Sequence, residues 1–125
     1  MNDEVIRELL LAPELFPGVI SGQKTCTVRT RHRNIQRGCL ALQSSDGSIV
    51  HNNLDKILVL VTKVRHTKLC DLTMEELIGE GMEPADYNAD INAMREAFRQ
   101  DMAGFYPDIT LQDDVTVIHF TFTNR

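Results

Sequence analysis

The run Ile57-Leu58-Val59-Leu60-Val61-Thr62-Lys63-Val64 constrains the fold of this chain more than any other segment. It is continuously apolar at its start and then alternates, which predicts a strong strand placed centrally in a sheet. Downstream, Ala89 to Ala103 repeats Ile91, Met94, Phe98 and Met102 at helical spacing with charges between them. That pattern predicts an amphipathic helix laid over the open side of the sheet. Val115 to Thr123, where Ile118, Phe120 and Phe122 alternate with His119 and Thr121, reads as a half-buried closing strand. Strands and helices mixed in this order make an α+β domain, a small curled sheet or barrel with helices at its ends.

The remaining elements follow from local signals. Asp3 caps a predicted helix to Leu11, with Val5, Ile6, Leu9 and Leu10 as its apolar stripe, and Pro13 ends it. A helical turn or two carries Phe16, Val19 and Ile20 and stops at Gly22, since glycine tolerates positive φ. Thr25 to Arg29 predicts a strand with Cys26 and Val28 facing the core and Thr25, Thr27 and Arg29 on the other side. Thr30 to Arg37 is too polar for core and forms a basic loop. Cys39 to Leu42 and Ile49-Val50 flank Ser44-Ser45-Asp46-Gly47-Ser48 as a hairpin. Thr73 and Glu76 form a capping box, and Gly81 stops the short helix just after Glu80.

A chain of 125 residues fits one domain, residues 1–125, with the helix at 3–11 as an extension. No apolar run approaches the roughly 20 residues that span a bilayer, and Met1-Asn2-Asp3-Glu4 is acidic where a secretory signal is basic. No membrane partner and a cytoplasmic location follow as expectations, with a monomer as the default. Cys26, Cys39 and Cys70 cannot all pair and lack C-x-x-C spacing, so they read as reduced thiols. His32, His51, His66 and His119 show no ligand spacing, which leaves no metal expected. The chain has no phosphate-binding glycine loop, so neither an ordinary nucleotide triphosphatase nor a dinucleotide enzyme is indicated; no cofactor is expected.

Charge is distributed unevenly. Leu15 to Ser45 contains no acid, while Lys24, Arg29, Arg31, Arg33 and Arg37 give it a charge of +5 in a chain of net charge −5. Such a segment points to a phosphate-bearing partner or, in the plainer alternative, to a solvated arginine-rich loop. Within it lies Gly22-Gln23-Lys24-Thr25-Cys26-Thr27-Val28-Arg29. Lys24 and Thr27 share one face if the chain bends at Thr25. Burial and a neighbouring arginine both disfavour a protonated amine, which is the condition for a lysine to serve as a base. A threonine becomes a nucleophile when such an amine takes its proton and a carboxylate orients the amine. The alternative is a strand threonine beside a surface lysine. Cys26 has the parity of Val28 and reads as a small core residue. Glu80, a carboxylate at the negative end of a helix, gains nothing from the dipole and invites a functional explanation.

Ser21-Gly22-Gln23-Lys24-Thr25-Cys26-Thr27-Val28-Arg29 resembles the opening G-x-K-T-x-T-x-R pattern of the ASCH domain, a PUA-like β-barrel family. Lys63-Val64-Arg65, Leu72-Thr73, Glu80-Gly81-Met82 and Phe105-Tyr106-Pro107 before the terminal strand extend the likeness in the right order. The resemblance implies an α+β fold: a small PUA-like mixed β-barrel of about five to six strands with flanking helices. It also implies RNA association or, as in the N4-acetylcytidine amidohydrolases, a Lys/Thr/Glu triad. By motif these catalytic residues fall on Lys24, Thr27 and Glu80, while Arg29, Arg31, Arg33 and Arg37 are left to bind substrate or RNA. The implied partner is a modified nucleoside or RNA. The chain departs from the family in having Cys39 after Gly38 where Gly-Asp is common, and in extra residues before the motif and after Glu80. The absence of tryptophan, and of any aromatic inside the basic segment, leaves little to stack single-stranded bases and favours a small-ligand pocket over an RNA groove.

Overall fold

Strands β1 (Glu8–Leu11), β2 (Cys26–Thr30), β3 (Gly38–Ser44), β4 (Lys56–Lys68) and β5 (Asp114–Phe122) form one sheet in a computed structural model that describes residues 4–123. Their spatial order is β1-β3-β4-β5-β2, so β1 and β2 are the two edges. β1 runs parallel to β3, and every other pairing is antiparallel. The sheet curls into a half-barrel with three helices, a small α+β PUA-like architecture. These are α1 (Phe16–Ser21), α2 (Met74–Gly79) and α3 (Ile91–Ala103). Among the described residues, no helix is long and apolar enough to cross a membrane.

β5 divides two hydrophobic cores because its alternate residues point to opposite faces. Ile118 and Phe120 pack with Leu9, Leu11, Phe16 and the inward residues of β3 and β4. Val115 and Val117 pack with Cys26, Val28, Leu77 of α2 and the Met94–Phe98–Met102 stripe of α3. Leu77 and Met94 are completely buried, each such side chain stabilising the fold by roughly 1.5–3 kcal/mol.

Three expectations are corrected. The helix at 3–11 is absent over its described part: Glu8–Leu11 is a strand in which Leu9 and Leu11 are buried and Leu10 is exposed; Asp3, its proposed cap, lies outside the described residues. Parallel pairing to Ala41–Ser44 rewards a period of two there, and this tertiary partner overrides a helical stripe. Ile49-Val50 does not pair with β3. The partner is the start of β4, with Gln43 opposite Lys56, and Ile49 is exposed. His51 bridges Leu54 across Asn52-Asn53, both in the left-handed conformation that a tight two-residue turn demands. β4 is central as expected, and its apolar run is covered on one face, with Leu58 and Leu60 turned to solvent. Ile35, inside the predicted polar loop, is buried in the first core.

Candidate active site

Lys24 is fixed by the end of α1. Gly22 caps that helix at φ 87°, and the chain turns back so that the Lys24 amide donates to Gly18 O at 2.9 Å. Its side chain then runs inward and is only 5% exposed. Nζ donates to Cys26 O at 2.8 Å and to Glu80 Oε1 in a short ion pair. Two of the three ammonium hydrogens are thereby directed.

Glu80 reaches this lysine because α2 is built to stop there. Thr73 Oγ1 accepts from the Glu76 amide at 3.1 Å, and Glu76 Oε1 accepts from the Thr73 amide at 3.0 Å, completing the capping box. At the other end the Met82 amide donates to Leu77 O and the Gly81 amide to Ile78 O, with Gly81 at φ 105°. This is a Schellman closure, which leaves Glu80 as the last residue before the left-handed glycine. The second oxygen of Glu80 accepts from the Val28 amide at 2.8 Å. Lysine and backbone donors supply the compensation that the helix dipole denies a carboxylate at this end.

The helix is docked onto β2 by a close approach at Gly79. The Thr25 amide donates to Gly79 O at 2.9 Å, and a Cβ on Gly79 would lie 2.6 Å from Thr25 Oγ1. Glu76, one turn before Glu80, anchors it from the other side. Its carboxylate accepts from Arg65 Nε and Nη2 at 2.9 and 2.6 Å and faces His119 Nε2 at 2.9 Å. Burial alone would raise this carboxyl, but the hydrogen bonds from Arg65, Thr73 and His119 outweigh it and hold the group down to about 2. Cys26 Sγ donates to Glu76 O at 3.2 Å. Burial first, and the Glu80 charge next, push this thiol well above its ordinary value, so Cys26 is a neutral core residue as its parity predicts.

Lys24, Thr27, Arg29 and Glu80 line one cavity of about 390 Å³, within the roughly 300–1,000 Å³ typical of small-molecule sites. Thr27 is buried and shares a face with Ile118. Arg29 is partly buried, and its Nη2 donates to Leu10 O at 2.7 Å, joining the two sheet edges across the cavity. Burial lowers the Arg29 guanidinium from its ordinary value, and Arg33 adds to this, while Tyr106 and Glu80 oppose it.

The other three arginines lie outside that lining. Arg31 is exposed at φ 65°. Arg33 is tied to Thr30 through Nε at 2.8 Å and Nη2 at 3.2 Å. Arg37 is exposed and borders a separate shallow groove with Gln36 and Lys63. His32 stacks on His66 with ring centroids 4.8 Å apart. Among the described residues, no group of three or more His, Cys, Asp and Glu could hold a metal ion.

The sequence reading missed most of the cavity wall. Leu10, Leu11, Ala12 and Leu15 enter from the β1 side, and Phe98, Asp101, Met102, Phe105 and Tyr106 from the end of α3. The aromatic surface absent from the basic segment is supplied from this distant element. The signal available was Phe105-Tyr106 directly after Gly104, aromatic residues placed past the end of the helix.

The curled five-stranded sheet with its helices has a small PUA-like α+β architecture, and its likeness to solved structures shows an ASCH-domain fold. Three solved structures carry that likeness. A protein of Enterococcus faecalis V583 assigned to DUF984 superposes with a TM-score of 0.58 at 15% identity, over 88% of this chain and 67% of its own. An ASCH domain from Lactobacillus crispatus JV V101 gives 0.56 at 11% identity, over 87% and 70%. A mutant of the ZmASCH protein from Zymomonas mobilis gives 0.56 at 13% identity, over 94% and 67%. No family model and no curated protein matches the sequence.

Proposed function

We propose that this protein is an amidohydrolase acting on N4-acylated cytidine or a related modified nucleoside, with Lys24, Thr27 and Glu80 as its catalytic residues. The observation that carries the reading is the buried Lys24–Glu80 pair at the floor of a cavity that Thr27 also lines. In its neutral form Lys24 takes the proton of Thr27 Oγ, or of a water beside it, and the oxygen attacks the acyl carbonyl. The carbon–nitrogen bond then breaks, and the proton returns to the leaving amine. Water releases the acid if Thr27 carried the acyl group. Glu80, gripped by the Val28 amide, orients Lys24 throughout. Arg29, the other cation of the lining, stabilises the developing oxyanion.

The test is acetate release from N4-acetylcytidine. Lys24→Ala, Thr27→Ala and Glu80→Gln each lower kcat by at least about 10²–10⁴-fold, the range for loss of a positioned acid, base or nucleophile. Absence of turnover by the pure protein across several acylated nucleosides refutes the activity.

A second reading, RNA binding, is favoured by Arg31, Arg37 and Lys63, which are exposed and free of the cavity. Reversing Arg31 and Arg37 to glutamate, rather than the tethered Arg33, separates the two. Binding that depends on phosphate neutralisation falls steeply with salt and disappears in this double variant, whereas nucleoside hydrolysis persists.

A further inference from the structure

The cavity has a polar floor and an apolar mouth. Among the described residues eight large hydrophobic side chains are exposed, and three of them, Leu10, Leu15 and Phe105, converge on this one cavity. Scattered exposed leucines need no explanation, but apolar groups gathered at the entrance of a pocket mark a surface that a ligand covers. Phe105 is the extreme case, at 73% exposed. It belongs to neither hydrophobic core. Its position is set by the backbone, since its own amide and that of Tyr106 both donate to Met102 O at 2.9 Å. An aromatic ring on a hydrogen-bonded turn, with its surface uncovered, can receive a flat partner.

We propose that Phe105 is the stacking platform for the planar base of the ligand and the residue that makes the site select nucleosides over aliphatic amides. The base lies against Phe105 at the mouth while its exocyclic acyl-amide reaches Lys24, Thr27 and Glu80 on the floor. This assignment rests on the nucleoside reading of the cavity, and stacking can be measured without hydrolysis.

The experiment is calorimetric titration of the full chain with cytidine, beside steady-state kinetics on N4-acetylcytidine and on an N-acetyl alkylamine. Phe105→Ala weakens cytidine binding by about 5- to 150-fold, the range for losing one base–aromatic stack, and raises KM with little change in kcat. Phe105→Tyr and Phe105→Trp restore binding to within about threefold of the parent, because both keep a stacking face. Phe105→Leu, apolar but without that face, does not. Circular dichroism of each variant matches the parent, since the replaced side chain is not part of either core. If acylated nucleosides are not turned over yet Phe105→Ala still loses cytidine binding, hydrolysis fails and the stacking platform stands. If turnover is found but Phe105→Ala binds cytidine within about twofold of the parent, the platform is refuted and hydrolysis stands. A parent protein that binds no cytidine, or equal KM increases for the nucleoside and the alkylamine, also refutes it.

Discussion

Replacing Glu76 by glutamine tests whether the anchor of α2 is electrostatic. The carboxyl is held down from an ordinary 4.5 to about 2, and each unit corresponds to about 1.4 kcal/mol, so the charge contributes about 3 kcal/mol at neutral pH. Water at Arg65, which is 28% exposed, screens part of this, and a loss of about 2 kcal/mol is expected for Glu76→Gln. The amide is isosteric but points a donor at groups that are themselves donors. Because the folded carboxyl is depressed, its contribution is complete above the unfolded value of 4.5 and disappears as pH falls through about 2. Glutamine has no proton to gain, so the gap between parent and variant narrows on acidification, with less than half left at about pH 3. Urea unfolding followed by circular dichroism at about pH 7 and about pH 3 measures both gaps. A gap that stays constant over this interval, or no gap at about pH 7, refutes the assignment of stability to the Glu76 charge.

Thr73→Ala removes the hydroxyl half of the same capping box and should cost about 1 kcal/mol in the same unfolding assay. Gly79→Ala places a methyl 2.6 Å from Thr25 Oγ1 and 3.1 Å from Cys26 Sγ. It should cost about 1–3 kcal/mol and displace Glu80 from Lys24, so activity falls with stability and Thr25→Ala restores part of both. Thiol labelling with a maleimide at neutral pH should modify exposed Cys39 rapidly, while Cys26 reacts only in urea. Labelling of Cys26 in the native protein would contradict its burial and raised pKa.

Elements whose determinants are local were legible. The capping box at Thr73 and Glu76, the Gly22 and Gly81 stops and the Met94–Phe98–Met102 stripe all act within a few residues, and each is found where the sequence puts it. Segments decided by distant partners were less legible. Val5, Ile6, Leu9 and Leu10 satisfy a helical stripe, yet pairing with β3 selects the strand. Leu58 and Leu60 are as apolar as their neighbours, and nothing local reveals that their face of β4 is left open. The site divides the same way. Lys24 and Thr27 stand out by spacing and Glu80 by its place at a helix end, but only the resemblance joins Glu80 to the other two, because the contact spans 56 positions. Phe105 and Leu10 enter the cavity through the curl of the sheet, which no local pattern encodes.

Arg29 closes the gap between β2 and β1 with a side chain where a complete barrel would use a ladder of backbone pairs. A ladder opens only by unzipping a strand. A single charged hydrogen bond opens for about 1.5–3 kcal/mol, part of which water returns. The cavity can therefore widen at this seam by a rotamer change in one arginine, on the time scale of side-chain motion, with all four strand pairings intact. Such widening requires no moving loop, and the cation that closes the seam also lines the cavity.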